Sequence, residues 1–391
     1  MRKTLIFILL AAILGAAGCK PDGSDVPPTN RVTIMYAAAF SNLSAAITED
    51  INEMCAGMLP SLSSTDVFVV YSHTRPTEAD PNRCPVLFRA WRDPSGTAHR
   101  DTLKVYPQSD ISSSPDVMRK VLTDINDLFP APHYGLMISS HGLGWLPRGY
   151  TENTDRYSTF SADTRELCIE SVAGSGIDID RLPGAIPMKL DYILMDTCLM
   201  GCVEVAYELR NKCDRLLFSP TEILSDGMVY TTMAALLTNV ATPSLNTIAK
   251  EYFDHYQAQS GLYRSATITL VDCTKLSALA DVCSSLTSKY RTQIEGLDHD
   301  KVQAYFYNDK THFFFDLKDI YVQAGPTEEE IAELDAALKD AVIYAAATEN
   351  FFNLKLERVC GLSMYLPYAN HQKLNRYYKE LSWNKSIGLI Q

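Results

Sequence analysis

Apolar and polar residues alternate in blocks along the chain, and two apolar blocks each end on a reactive side chain. The first is Tyr134-Gly135-Leu136-Met137-Ile138-Ser139, followed by Ser140-His141-Gly142. The second is Leu190-Asp191-Tyr192-Ile193-Leu194-Met195-Asp196, followed by Thr197-Cys198. Both runs have the length of buried strands rather than helices. Upstream, residues 32–36 and 66–71 read as strands, with helical spacing over 42–54 between them. Residues 87–91 and 103–106 flank Pro94-Ser95-Gly96 as a hairpin at a sheet edge. Residues 115–129 read as a helix with Ser114 as N-cap and Pro115 in its first position. Beyond Cys198 the pattern predicts a helix over 200–213, a strand over 216–219, a helix over 245–260 and a strand over 265–272. It then predicts helices over 275–294 and 327–348, a strand over 361–366 and a closing helix over 370–381. Such alternation argues an α/β fold, an open and mostly parallel sheet with helices on both faces. The same idiom continues as a C-terminal α/β extension, with room for a subdivision near residue 240.

In an open parallel sheet, ligands bind in the crevice beyond the carboxyl ends of the strands. If the two strands are neighbours, His141 and Cys198 face one crevice. A thiolate is the nucleophile, and an adjacent imidazole makes it available near neutral pH. The same imidazole can later protonate a leaving amine. Gly142 has no Cβ to keep a substrate away from the backbone, and its N–H and that of Cys198 are candidate oxyanion donors. Taken singly, each residue has a plainer reading: a histidine at a strand end, and one more buried cysteine. Their matched places favour a cysteine peptidase site.

Residues 1–19 are set apart from the fold. Arg2 and Lys3 precede an apolar stretch over 5–14, and Gly15-Ala16-Ala17-Gly18 leads to Cys19. A cysteine directly after small residues resembles a bacterial lipoprotein signal peptide, with Cys19 lipidated and the protein exported and anchored to the cell envelope. An ordinary secretory signal is the alternative. Residues 20–30 are polar and rich in Pro and Gly, a flexible tether, leaving 31–391 as the peptidase domain. Loss of the first segment moves the formal net charge from −12 to −14. That acidity argues against a nucleic-acid partner, which calls for basic stripes. The ten cysteines show neither a small-domain disulfide framework nor a zinc-ligand spacing. The connection over 143–189 is long, polar and basic in places, with Arg148, Arg156 and Arg165. A short helical turn is expected within it over 177–182.

The segments Ser140-His141-Gly142-Leu143-Gly144-Trp145 and Asp196-Thr197-Cys198-Leu199-Met200-Gly201, continuing to Leu209, resemble the clostripain family of cysteine peptidases. The resemblance covers nearly all of the chain after the tether. It implies a caspase-like fold, Cys198 as nucleophile and His141 as acid/base, and cleavage after arginine, less readily after lysine. Thr197 stands where the family more often has alanine. Self-cleavage in the 143–189 connection is a further implication. So is a basic-residue pocket holding Asp196 and Asp226, since two carboxylates on a guanidinium suffice for arginine preference. Without the family, Asp226 is a turn residue before Gly227 and Asp196 a strand-end cap. The expected partners are peptides or proteins with exposed arginine or lysine, and a membrane through Cys19. No cofactor is required; calcium is left open, although no Asp-x-Asp-x-Asp-Gly loop occurs. Two other classes stay in view. One is a non-catalytic, peptide-binding lipoprotein that keeps the fold; the other is a same-fold peptidase of different specificity.

Overall fold

The computed structural model describes residues 28–60, 65–148, 176–306 and 311–391. Cys19, most of the tether, Arg156 and Arg165 lie outside the described residues. In chain order the strands are β1 (Arg31–Ala39), β2 (Asp66–Thr74), β3 (Val86–Arg92), β4 (Ala98–Val105), β5 (His133–Ser139), β6 (Leu190–Asp196), β7 (Cys213–Phe218), β8 (Thr267–Asp272), the two-residue β9 (Phe315–Asp316) and β10 (Val342–Ala347). One sheet takes nine of them in the order β10-β8-β7-β6-β5-β1-β2-β3-β4. The pairs β7–β6, β6–β5, β5–β1 and β1–β2 are parallel, and the flanking pairs on both sides are antiparallel. Strand β1 is buried at all nine positions, as a strand covered on both faces should be. Burial of side chains such as Ile34 contributes about 1.5–3 kcal/mol each. The strand order reverses between β1 and β5, because the chain moves outward from β1 to β2 and later returns to β1's other side. Such a reversal is where the crevice of an open α/β sheet forms.

The helices are α1 (Ser44–Gly57), α2 (Pro115–Leu128), α3 (Leu182–Ala185), α4 (Val203–Leu209), α5 (Tyr230–Leu237), α6 (Leu245–Gln257), α7 (Leu276–Lys289), α8 (Arg291–Glu295), α9 (Leu317–Ala324), α10 (Glu328–Ala341), α11 (Gln372–Glu380) and α12 (Ser382–Ile387). One layer runs α1 to α5 to α6; the other carries α2, α3 and α4, then α7, α10 and α12. Ser114 occupies the N-cap position of α2 with Pro115 first, but its side chain makes no capping bond. Thr327 does cap α10, in a reciprocal box with Glu330.

The structure departs from the pattern where tertiary pairing outweighs local preference. The expected helix over 327–348 stops at Ala341, and Val342–Ala347 becomes edge strand β10 against β8. Val342, Ile343 and Tyr344 suit a pleated, half-buried surface, and β8 offers them an open edge. The helix expected over 275–294 breaks at Tyr290, whose hydroxyl donates to Glu330 on α10 at 2.6 Å. Only Ser363–Met364 of the last expected strand is paired, and with β9 rather than the large sheet. The turn expected over 177–182 starts at Leu182 instead, with Pro183 in its first turn. Helix α5 has no counterpart in the sequence reading.

Candidate active site

β5 and β6 are parallel neighbours, with Ser139 opposite Asp196 as the last paired residues. His141 and Cys198 therefore each stand two residues beyond that pair, at the carboxyl end of the sheet. Gly142 fits between them and is needed there. A Cβ at this position would lie 2.4 Å from the Cys198 carbonyl oxygen and 3.1 Å from Thr197 Cβ. The loop after His141 is pinned by Trp145, which is fully buried and donates from Nε1 to the Phe313 carbonyl at 3.1 Å. Its ring packs 4.5 Å from Tyr365 and 5.0 Å from Tyr378, between centroids. The Phe313–Phe315 run is core, as three adjacent aromatics suggest.

Cys198 is fully buried, and its sulfur points to the loop after β7. The Ile223 N–H donates to Sγ at 3.3 Å, and Sγ lies 3.7 Å from the Ile223 carbonyl. The backbone around the thiol is knit to the same loop: Leu199 N–H donates to the Thr221 carbonyl at 2.9 Å and Gly201 N–H to that of Ser219 at 2.7 Å. Leu199 takes a positive φ of 60° in this turn. These bonds correct the sequence reading of a helix over 200–213. Leu199 and Gly201 spend their N–H groups on the post-β7 loop, and α4 begins only at Val203, too far along to aim its dipole at the thiol. One N–H, that of Ile223, takes its place.

Asp196 is buried beside the thiol. Its Oδ2 accepts from Ser139 Oγ at 2.5 Å and from the Tyr230 hydroxyl at the start of α5. Asp226 is exposed, four residues before Tyr230, in the turn at Gly227. The two carboxylates thus share one loop-and-helix unit, but Asp196 is held in place and Asp226 is open to water. Alternate strand residues face opposite ways, so Met195 and Thr197 look to the other side. There they line a cavity of about 150 Å³ with His141, Gly142, Met118 of α2 and Leu182 of α3. His141 and Gly142 thus open on this cavity, while Asp196 and the Cys198 sulfur do not line it.

Two further groups escaped the sequence reading. His141 Nε2 lies 2.8 Å from Asn42 Oδ1, a contact across 99 positions. Glu204, on α4, is fully buried; Oε1 accepts from the Tyr365 N–H at 2.9 Å and the Tyr378 hydroxyl at 2.6 Å. Burial pushes its carboxyl up to about 7, against those bonds. Burial first, and the Glu204 charge second, push the neighbouring Cys202 thiol well above its usual range. All eight described cysteines are free thiols. Among the described residues no group of three or more His, Cys, Asp or Glu could hold a metal ion.

The family model of the clostripain family, peptidase C11, matches residues 35–388. The chain belongs to the clostripain family. Solved structures agree over nearly the whole length. An inactive zymogen C11 protease from Parabacteroides distasonis is 26% identical with a TM-score of 0.77, over 93% of this chain and 99% of that one. A secreted C11 cysteine protease from Bacteroides thetaiotaomicron, in complex with an irreversible peptide inhibitor, is 25% identical with a TM-score of 0.75, over 92% and 99%. No curated protein matches. The clostripain family is one of cysteine proteases, and the nine-stranded, mostly parallel sheet with helices around it is the fold of those structures.

Proposed function

We propose that this clostripain-family protein is an endopeptidase that cuts after arginine, less readily after lysine, with Cys198 as nucleophile and His141 as acid/base. The observation that carries the reading is the equal offset of the two side chains past the Ser139–Asp196 pair, with Gly142 packed on the Cys198 carbonyl. In the proposed reaction His141 takes the thiol proton and Sγ bonds to the scissile carbonyl carbon. The resulting oxyanion meets the N–H groups of Gly142 and Cys198. Collapse breaks the C–N bond, and the proton on His141 goes to the leaving amine. Water, activated by the same imidazole, then hydrolyses the acyl-enzyme and frees the thiol. Asp196 at the base and Asp226 at the rim would hold the guanidinium.

The full burial of Sγ against Ile223 supports a latent form, in which the sulfur must turn outward before it can attack. One structural relative is itself an inactive zymogen, and self-cleavage within 143–189 is the matching activation step for this chain. The same burial is the one observation that favours a non-catalytic, peptide-binding protein. Fluorogenic peptides differing only in the residue before the cut decide between them. Turnover restricted to arginine and lysine peptides is expected; equal turnover of asparagine or aspartate peptides would sink the specificity, and none at all after activation would favour the binding protein.

For location, a lipid anchor at Cys19 fits the leader pattern. A secreted relative exists, and no helix among the described residues is long and apolar enough to cross a membrane. Cys19→Ser should release the protein from the membrane fraction with its peptidase activity intact. Unchanged membrane partition of that variant would remove the anchor.

A further inference from the structure

Strands β1 and β5 lie side by side and parallel, with Ala37 opposite Ser139 as their last pair. The segments leaving their carboxyl ends therefore emerge together, at the point where the strand order reverses. One segment carries His141 and the other carries Asn42. The turn that holds Asn42 is well tied. Ser41 is buried, its N–H donates to the Ala39 carbonyl at 2.7 Å, and its Oγ accepts from the Leu43 N–H at 3.1 Å. Just beyond, Ser44 Oγ accepts from the Arg75 N–H at 2.7 Å, clamping the turn to the end of β2. Asn42 itself is exposed and serves no helix cap, since α1 begins at Ser44 behind Leu43. Its Oδ1 meets His141 Nε2 at 2.8 Å.

An amide oxygen only accepts. The nitrogen facing it must then carry the proton, and in a neutral imidazole the other nitrogen is left with the lone pair. We propose that Asn42 is a positioning residue that holds His141 in the Nε2–H tautomer, with Nδ1 as the basic nitrogen. This rests on the reading of His141 as acid/base. When Nδ1 takes a proton from the thiol, the ring becomes a cation donating on both sides. Asn42 Oδ1 keeps its hydrogen bond throughout and strengthens it as charge develops. The bond also holds the ring plane about its terminal torsion. In enzymes with a Ser–His or Cys–His pair, a third group orients the base in this way. Here that group comes from β1, on the far side of the histidine strand from the cysteine strand. The arrangement uses the reversal in strand order, because only there does a third strand end reach the histidine from the opposite side.

The test uses the full chain with isotope-labelled histidine, read by nitrogen NMR above the titration range of a free imidazole, with His141→Gln to assign the signal. The parent should show Nε2 protonated at His141. Asn42→Leu should lose that tautomer preference and lower kcat on the order of 10- to 100-fold, as removal of orienting partners does elsewhere, with KM within about twofold. Asn42→Asp keeps an acceptor at the same place, so it should retain the tautomer and most of kcat. An Nδ1–H tautomer in the parent would overturn the proposal. So would Asn42→Leu with an unchanged His141 signal, or with kcat intact in an active enzyme. Should the parent cleave no peptide at all, the peptidase reading fails by itself, and the NMR comparison of parent, Leu and Asp variants still decides whether Asn42 sets the tautomer. Asn42 lies on the surface with unstrained backbone, and the Asp variant guards against a folding defect.

Discussion

Successive residues at the end of β6 look into two different regions. Asp196 and Cys198 face α5 and the post-β7 loop, where polar atoms find partners in Ser139, Tyr230 and the Ile223 backbone. Met195 and Thr197 face α2 and α3 across an apolar cavity. The second region continues into α4, where Cys202 and Glu204 are enclosed with Tyr365 and Tyr378. Both regions are buried, yet their cysteines sit in different surroundings. Near Cys198 the sulfur accepts from the Ile223 N–H and lies against the Ile223 carbonyl. Near Cys202 burial, and then the Glu204 carboxylate, disfavour a thiolate, against backbone hydrogen bonds from Val205 and Trp145. Burial and backbone donors are common to both sulfurs, so what sets Cys198 apart is its place at the carboxyl end of the sheet, level with His141.

The contrast breaks most sharply on the two sulfurs. Cys198→Ala should abolish peptide cleavage and labelling by thiol-directed arginine ketones. Cys202→Ala should leave both largely intact, with only a stability loss of about 1 kcal/mol for the lost packing. Equal loss of activity in both variants would mean that the two regions are not chemically distinct.

Glu204 offers the next largest effect, on stability rather than rate. Its carboxyl sits at about 7 in the fold against 4.5 as an ordinary value. Between those values the unfolded chain gives up a proton that the folded chain retains, so stability falls as pH rises. It is fully present below about 4.5 and lost by about 7, on the order of 3 kcal/mol. Buried Asp316 is shifted the same way by its own burial, so the parent must be compared with Glu204→Gln. Urea midpoints between pH 5 and 7.5 should fall less steeply in the variant. Parallel curves would show that Glu204 stays ionised, stabilised by its two donors.

Asp226→Asn sharpens the first region. Asp226 is exposed, so water screens it until a substrate covers it, and the expected loss is smaller than for a fully buried pair. A charge-assisted bond of about 1.5–3 kcal/mol predicts about a 10- to 100-fold fall in kcat/KM for arginine peptides. Peptides with a neutral residue before the cut should change little. Arginine peptides cleaved as well as by the parent would leave Asp226 a turn residue.

How much of this was legible in the chain follows from the range of each interaction. His141 and Cys198 could be found because strand runs and their ends are local patterns. Gly142 followed because it adjoins the histidine. Asn42, Ile223 and Tyr230 carry no local mark, since each acts on a residue 25 or more positions away. The shortened α4 and the strand β10 depart from the sequence pattern for a related reason. Local periodicity and an alanine-rich run favour helix, while hydrogen bonds from the Ser219–Thr221 backbone and from the β8 edge decide otherwise. Trp145 lies in the motif that follows His141, but its anchoring role depends on aromatics more than 160 positions later.

The smallest expected effect tests the second region at its closest approach to the first. Thr197 is 3% exposed, and its Oγ1 has no hydrogen-bond partner among the described residues. A buried hydroxyl without a partner forfeits its hydration for nothing in return. Valine has nearly the same shape, is equally suited to a strand end, and has no hydroxyl to desolvate. Thr197→Val should therefore raise stability by about 1 kcal/mol, seen as a rise in Tm of about 2 °C for a chain of this size. Thr197 shares its cavity with His141 and Gly142, but its hydroxyl bonds neither and valine keeps its shape, so cleavage of arginine peptides should change little. A fall in Tm would mean that water in the cavity serves the hydroxyl, making that face wetter than its lining suggests. A fall in cleavage with Tm raised would mean that the hydroxyl itself serves His141 or Gly142 across the cavity.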